Sequence, residues 1–156
     1  MARFKAELPV ELAKDFEKVY GKTDEIFGKM TQAGAEVVKR NVKSGVPLPE
    51  MADHVKLSVT YRTPSDDGIN TKVYFTGYRP FKGNRRSFVR RGREGSDVYR
   101  STEGVPYAFL AQIYEYGRSD PSFPKKPFFR KSFKKAQIEK AMLKAQKEAS
   151  GGIIDE

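Results

Sequence analysis

Residues 107–133, YAFLAQIYEYGRSDPSFPKKPFFRKSF, decide how this chain is put together. The stretch starts apolar, halts at a glycine, crosses a proline-bracketed loop and resumes in aromatics separated by basic residues. Pro106 suits the first turn of a helix, where a missing N–H costs nothing. From there Tyr107, Leu110, Ala111 and Tyr114 share one face, and Phe109 and Ile113 lie on another. A short helix that is apolar nearly all round belongs in the interior. Gly117 is placed to cap its C-terminus. RSDPSFPKKP, residues 118–127, holds three prolines and cannot continue regular structure. The prolines stiffen this loop and reduce the entropy lost on ordering it. A last helix is predicted over roughly 126–149, with Phe129, Phe133, Ala136 and Leu143 facing the core and Gly151-Gly152 ending it. Phe128 and Phe129 then anchor the returning chain, each buried ring contributing roughly 1.5–3 kcal/mol. Glu115 has three open readings: an arginine partner in its own chain, one in a neighbouring copy, or a solvated charge at a helix end.

Upstream, Leu8, Leu12, Phe16, Val19, Ile26, Met30, Ala33 and Val37 recur at helical spacing across residues 8–42. Gly21 is placed to bend or split this helix, because an interior glycine costs about 1 kcal/mol against alanine. Ser44-Gly45-Val46-Pro47 stops it, and Pro49 extends the break. HVKLSVTYRT, residues 54–63, alternates, with Val55, Leu57, Val59 and Tyr61 on one face and Lys56, Ser58, Thr60 and Arg62 on the other. That is the pattern of a strand with one buried face. A turn at residues 64–68 leads to a second strand, 69–77, with Ile69, Thr71, Val73 and Phe75 on one side. A hairpin alone is marginal, so it needs a third strand or a covering helix, and the long N-terminal helix is the obvious cover. Residues 78–104 are expected to form a flexible basic loop or arm, or an extended hairpin, with Val98-Tyr99-Arg100 a short strand. The expected fold is thus a single α+β domain over 1–156. A small antiparallel sheet (the 54–77 hairpin plus an extra strand) packs against the long N-terminal helix, a short buried helix and a C-terminal helix. Residues 150–156 are expected to be a disordered tail.

Composition narrows the function. A chain of 156 residues fits one domain. No stretch nears the ~18 apolar residues of a membrane span, and the N-terminus lacks the apolar middle of a secretion signal. No membrane partner and a cytoplasmic origin are therefore expected. There is no cysteine, which removes disulfides, thiolate zinc sites and thiol nucleophiles together. The single histidine, His54, opens a strand pattern and has no GxSxG context, so it reads as a strand-end side chain. No phosphate-cradling glycine motif occurs. Asp24-Glu25 and Asp66-Asp67 sit on polar helix or turn positions and read as solvated charge. An enzyme is not expected, nor a catalytic residue, metal or cofactor.

The charge is +10 overall and unevenly spread: +1 over residues 1–77, +5 over 78–104 and +4 over 105–156. Such an excess points to a polyanion or an acidic protein partner. Five arginines fall within RRSFVRRGR, residues 85–93, interleaved with Phe88. That combination suits phosphate contact, base stacking or carboxylate forks. In the last helix Arg130/Lys134, Lys131/Lys135 and Lys140/Lys144 would be like charges four apart, each costing about 0.2–0.5 kcal/mol. Only Lys135/Glu139 would relieve them, which favours an anionic surface opposite.

PYAFLAQIYEYG followed by a loop and PKKPFFRKSFKKA resembles the HK97 gp10-like family of tail-completion or head–tail joining proteins of long-tailed phages. The matching residues are Tyr107, Ala108, Glu115, Tyr116, Gly117, Pro127, Phe128, Phe129 and Arg130. The specific match covers about thirty residues; the rest agrees in element order, and Arg118 stands where family members often carry threonine. The resemblance implies a structural virion subunit, assembled in the host cytoplasm, that forms a ring (commonly six-fold) at the phage neck. Such a ring would complete or terminate the tail and contact the connector or stopper and tail tube proteins. Its channel would let DNA pass without sequence-specific binding. Arg79, Arg85, Arg86, Phe88, Arg90, Arg91, Arg93, Lys131, Lys134 and Lys135 are the expected contacts to copies or partners, mostly protein, since a strongly basic lumen would hinder sliding DNA. The alternative is a basic nucleic-acid-binding module, although no recognised DNA- or RNA-binding motif is present.

Overall fold

The computed structural model describes residues 14, 17, 20–65, 68–84, 86–91, 98–118 and 124–151. The chain is mixed α+β: its described elements include a long helix, short antiparallel ladders and further helices. Helix α1 runs Thr23–Gly45, and its N-cap Lys22 leaves helical geometry one residue after Gly21, at φ −109° and ψ 5°. The expected apolar positions Leu8, Leu12, Phe16 and Val19 lie outside the described residues. The C-cap, Val46, is extended because it precedes Pro47. α1 buries Ile26, Gly34, Ala35, Val37, Val38 and Val42.

The segment after Pro47 is more than a break. Pro49–His54 forms a 3-10 turn that buries Met51 completely. Strands β1 (Val55–Leu57) and β2 (Tyr61–Arg62) pair antiparallel with β4 (Val73–Phe75) and β3 (Ile69–Asn70) respectively. Leu57 opposes Val73 and Tyr61 opposes Asn70, so Ser58, Val59 and Thr60 face only Thr71 and Lys72. This is a β-bulge, and it breaks the strict alternation expected from the sequence. The Lys72 N–H donates to the Ser58 hydroxyl at 2.8 Å, where a carbonyl would continue the ladder. Val59, expected on the buried face, is 85% exposed as a result.

Residues 78–104 carry β5 (Tyr78–Arg79), β6 (Phe88–Arg91) and β7 (Val98–Ser101), followed by β8 (Val105–Pro106). β6 and β7 form an antiparallel ribbon, with Val89 opposite Arg100, and β5 pairs with β8. Helix α2 then spans Tyr107–Tyr116, and α3 spans Lys135–Ser150 after a 3-10 turn at Arg130–Ser132.

The C-terminal helix therefore starts later than expected, and its inward face differs. Lys134 is its N-cap, with extended geometry at φ −82° and ψ 93°. Phe133 and Leu143, expected inside, are 53% and 55% exposed, and Ala136 is exposed too. Ile138 and Met142 face α1 instead. Gly34 makes room for them: a Cβ there would lie 3.2 Å from Met142 Cγ and 3.3 Å from Ile138 Cγ2. The late start also separates Arg130 from Lys134 and Lys131 from Lys135 as helical neighbours, so those two repulsions do not arise. Lys140/Lys144 remains, with Glu139 3.5 Å from Lys135 and Glu148 3.7 Å from Lys144. The core gathers Val38 and Val42 of α1, Met51, Val55, Tyr107 and Ala111 of α2, and Phe128.

Candidate functional site

The residues that carry the resemblance converge on one carboxylate. α2 is apolar enough to bury Tyr107, Ala111 and Ile113, and it carries Glu115 inward with them, to 4% exposure. A buried carboxylate in the last turn of a helix faces the negative end of the helix dipole. It needs compensation, and the returning chain supplies it. Gly117, at φ 78°, turns the backbone out of the helix while its N–H donates to the Ile113 carbonyl at 2.7 Å. After the loop, the Lys126 N–H donates to the Tyr114 carbonyl at 2.8 Å and aligns the return.

Phe128, Phe129 and Arg130 then open a helical turn whose first N–H groups have no intrahelical acceptor. Glu115 Oε2 accepts the Phe128 and Phe129 N–H groups, each at 2.9 Å. Oε1 accepts the Arg130 N–H at 3.3 Å and its Nε at 2.7 Å. Burial alone would push the Glu115 pKa up, but the Arg130 guanidinium and the three backbone donors outweigh it and hold the group below its ordinary value of 4.5. Of the three readings open at Glu115, the arginine partner in its own chain is the one observed. The backbone donors were not legible.

The clasp is packed from below. Phe128 meets Phe75 edge-on at 6.1 Å, and Phe129 lies 6.3 Å from Phe75 and 5.7 Å from Phe133. Ser132, buried, donates to the Phe128 carbonyl at 2.7 Å, and Asn41 of α1 donates to the Ser132 carbonyl at 3.1 Å. At the other end of α2, the buried Tyr107 stacks on His54 at 4.2 Å, giving the lone histidine a packing role. Burial raises the Tyr107 pKa, Glu50 adds to the shift and Arg79 opposes it. Ala108, Gln112 and Tyr116 remain on the outer side, where with Val73 and Phe75 they line an apolar groove of 300 Å³. Tyr116 is 67% exposed, with the Arg130 guanidinium 5.2 Å above its ring. Pro127 is half-buried beside the clasp.

The expected contact residues part company. Arg79 is 2.7 Å from Glu50. Arg85 and Arg93, like the Asp66-Asp67 pair, lie outside the described residues, as does the Arg91 side chain. Lys131, Lys134 and Lys135 are exposed around the start of α3, and Arg86 is exposed ahead of β6. Phe88 packs on Phe109 of α2 at 4.9 Å, and Arg90 sits 5.2 Å above that same ring. Phe109 as the ribbon's seat went unread in the sequence, although an aromatic on the second face of a short helix invited a partner. Among the described residues, no group of three or more His, Cys, Asp or Glu could hold a metal ion, and no helix is long and apolar enough to cross a membrane. Comparison with protein-family models, with curated proteins and with solved structures gave no match.

Proposed function

We propose that this chain is a structural subunit that assembles into a ring at the phage head–tail junction. There it would complete or terminate the tail and dock it to the head connector around a DNA passage. The observation that carries the reading is the pairing of the strands: all eight described strands pair only two by two, in four separate antiparallel ladders. Two-stranded ladders are marginal alone, and their outer edges are templates for further pairing. The alternating hydrogen bonds of β1 and β4 fix which way each amide of β4 points. The Thr76 N–H donates to the His54 carbonyl and the Ser58 N–H to the Lys72 carbonyl, each at 2.9 Å. Tyr74 therefore bonds toward β1, and Val73 and Phe75 turn their amides to the opposite edge, where no described strand pairs with them.

Large apolar side chains at the surface, Val59, Tyr116, Phe133 and Leu143, add surface that association would bury. The motif that carries the resemblance has a structural part in this reading. The clasp fixes α2 to the start of α3 and so sets how the outer groove and the basic side chains are presented.

Size-exclusion chromatography with light scattering on the full chain tests the proposal. A discrete assembly at several times 17.7 kDa is expected. A 17.7 kDa monomer at every concentration would overturn it.

A further inference from the structure

The ribbon of β6 and β7 is basic, exposed and already seated. Its described residues, FVRR and VYRS, include three arginines and no carboxylate. One face rests on the body of the protein, where Phe88 and Arg90 alternate onto the same side and both engage Phe109, Arg90 remaining exposed to solvent. The other face turns outward and carries Val89, half-exposed, directly opposite the exposed Arg100. Lys82 and Arg86 are exposed on the approach to β6. Among the described residues Lys82, Arg86, Arg90 and Arg100 have no carboxylate partner, whereas Arg79 and Arg130 are paired with Glu50 and Glu115. Four cations without a carboxylate partner among the described residues thus lie on and beside this ribbon.

We propose that this ribbon binds the phosphate backbone of duplex DNA. The inference goes beyond the assembly reading and does not rest on it. Three features select the occupant. A two-stranded ribbon is of a width that the major groove of B-DNA admits. Its cations are arginines, whose planar forks match phosphate oxygens in pairs. Seating on Phe109 holds the ribbon in place before a ligand arrives, so less ordering is lost on binding. An acidic protein is the competing occupant. It would need a shaped apolar complement, whereas on the outward face Val89 stands directly opposite a cation, Arg100. Arg86 and Arg90, expected from the sequence to meet protein, are thereby reassigned to nucleic acid, and Arg100 joins them.

The test is a salt titration of the full chain with a fluorescent 30-base-pair duplex, with polyglutamate as the competing probe. Binding at 50 mM salt is expected, with log K falling against log salt at a slope of roughly −3 to −4, as for three or four phosphate contacts. The triple variant R86Q/R90Q/R100Q should flatten that slope by roughly 2 to 3. R100Q alone, which removes no ion pair with a described residue, should flatten it by about 1. K140Q/K144Q, on the outer face of α3, controls for net charge and should change it by less than R100Q. Three results would each overturn the proposal: no binding at 50 mM salt, equal losses from the ribbon and α3 variants, or displacement of the duplex by polyglutamate at equal charge concentration.

Discussion

The Glu115 clasp and the β6–β7 ribbon are built from the same residue classes, phenylalanine and arginine, and put them to opposite uses. At the clasp, Arg130 meets a buried carboxylate 2.7 Å away, and the adjacent phenylalanines pack against Phe75. On the ribbon, Phe88 packs on Phe109, but Arg86 and Arg100 find no carboxylate among the described residues. The deciding difference is one acid. A basic-aromatic stretch becomes a structural joint where the fold delivers a buried carboxylate, and it stays an outward-facing cationic surface where the fold does not.

This contrast can be broken from the clasp side first. Phe128→Ala empties the core contact beneath the clasp and is expected to destabilise by roughly 3–5 kcal/mol, read as a lower urea midpoint. Glu115→Ala leaves the Phe128 and Phe129 amides without their acceptor and should cost roughly 2–4 kcal/mol. Glu115→Gln, which keeps one oxygen acceptor, should fall between that variant and the native chain. The carboxyl also predicts a pH dependence. Its pKa in the folded protein is below 4.5, so the stability it contributes is present above that value and is lost as pH falls through the folded pKa. Urea midpoints of the native chain and Glu115→Gln should therefore differ at pH 7 and draw together as pH falls below 4.5 and through the folded pKa.

The ribbon side responds less, and differently. Gly104→Ala, at φ 153° where β8 meets β5, places a methyl group against the Arg79 carbonyl. It should cost about 2 kcal/mol or more and loosen the root of the ribbon. Arg100→Gln should leave stability within about 0.5 kcal/mol. A larger loss there would mean that the ribbon's charge is structural after all, and the contrast with the clasp would fail.

Much of the fold was legible because periodicity and turn chemistry are local. The short buried helix, its glycine stop, the two strands and the break after Gly45 all follow from side chains a few residues apart. What was not legible depends on contacts distant in sequence. The bulge at Ser58–Thr60 is set by register against residues 71 and 72, so Val59 kept its place in the alternation and lost its burial. Phe133 and Leu143 fit a helical stripe, but the turn at Arg130–Ser132 delays the helix and rotates that stripe outward. Met51 is buried inside a proline-rich segment that reads as a break. At the candidate site the motif residues could be picked out, and Arg130 was among them. That Glu115 caps the backbone of residues 128–130 required knowing where the loop returns. An acid in the last turn of an apolar helix was the one available signal.

Hydrogen exchange measured at low and high protein concentration tests the central claim, that the clasp is complete within one chain and the sheet edges are not. The amides of Phe128 and Phe129 should be protected at both concentrations, while those of Val73 and Phe75 should gain protection only as the chain associates. Identical exchange at Val73 and Phe75 across the whole concentration range would contradict the account.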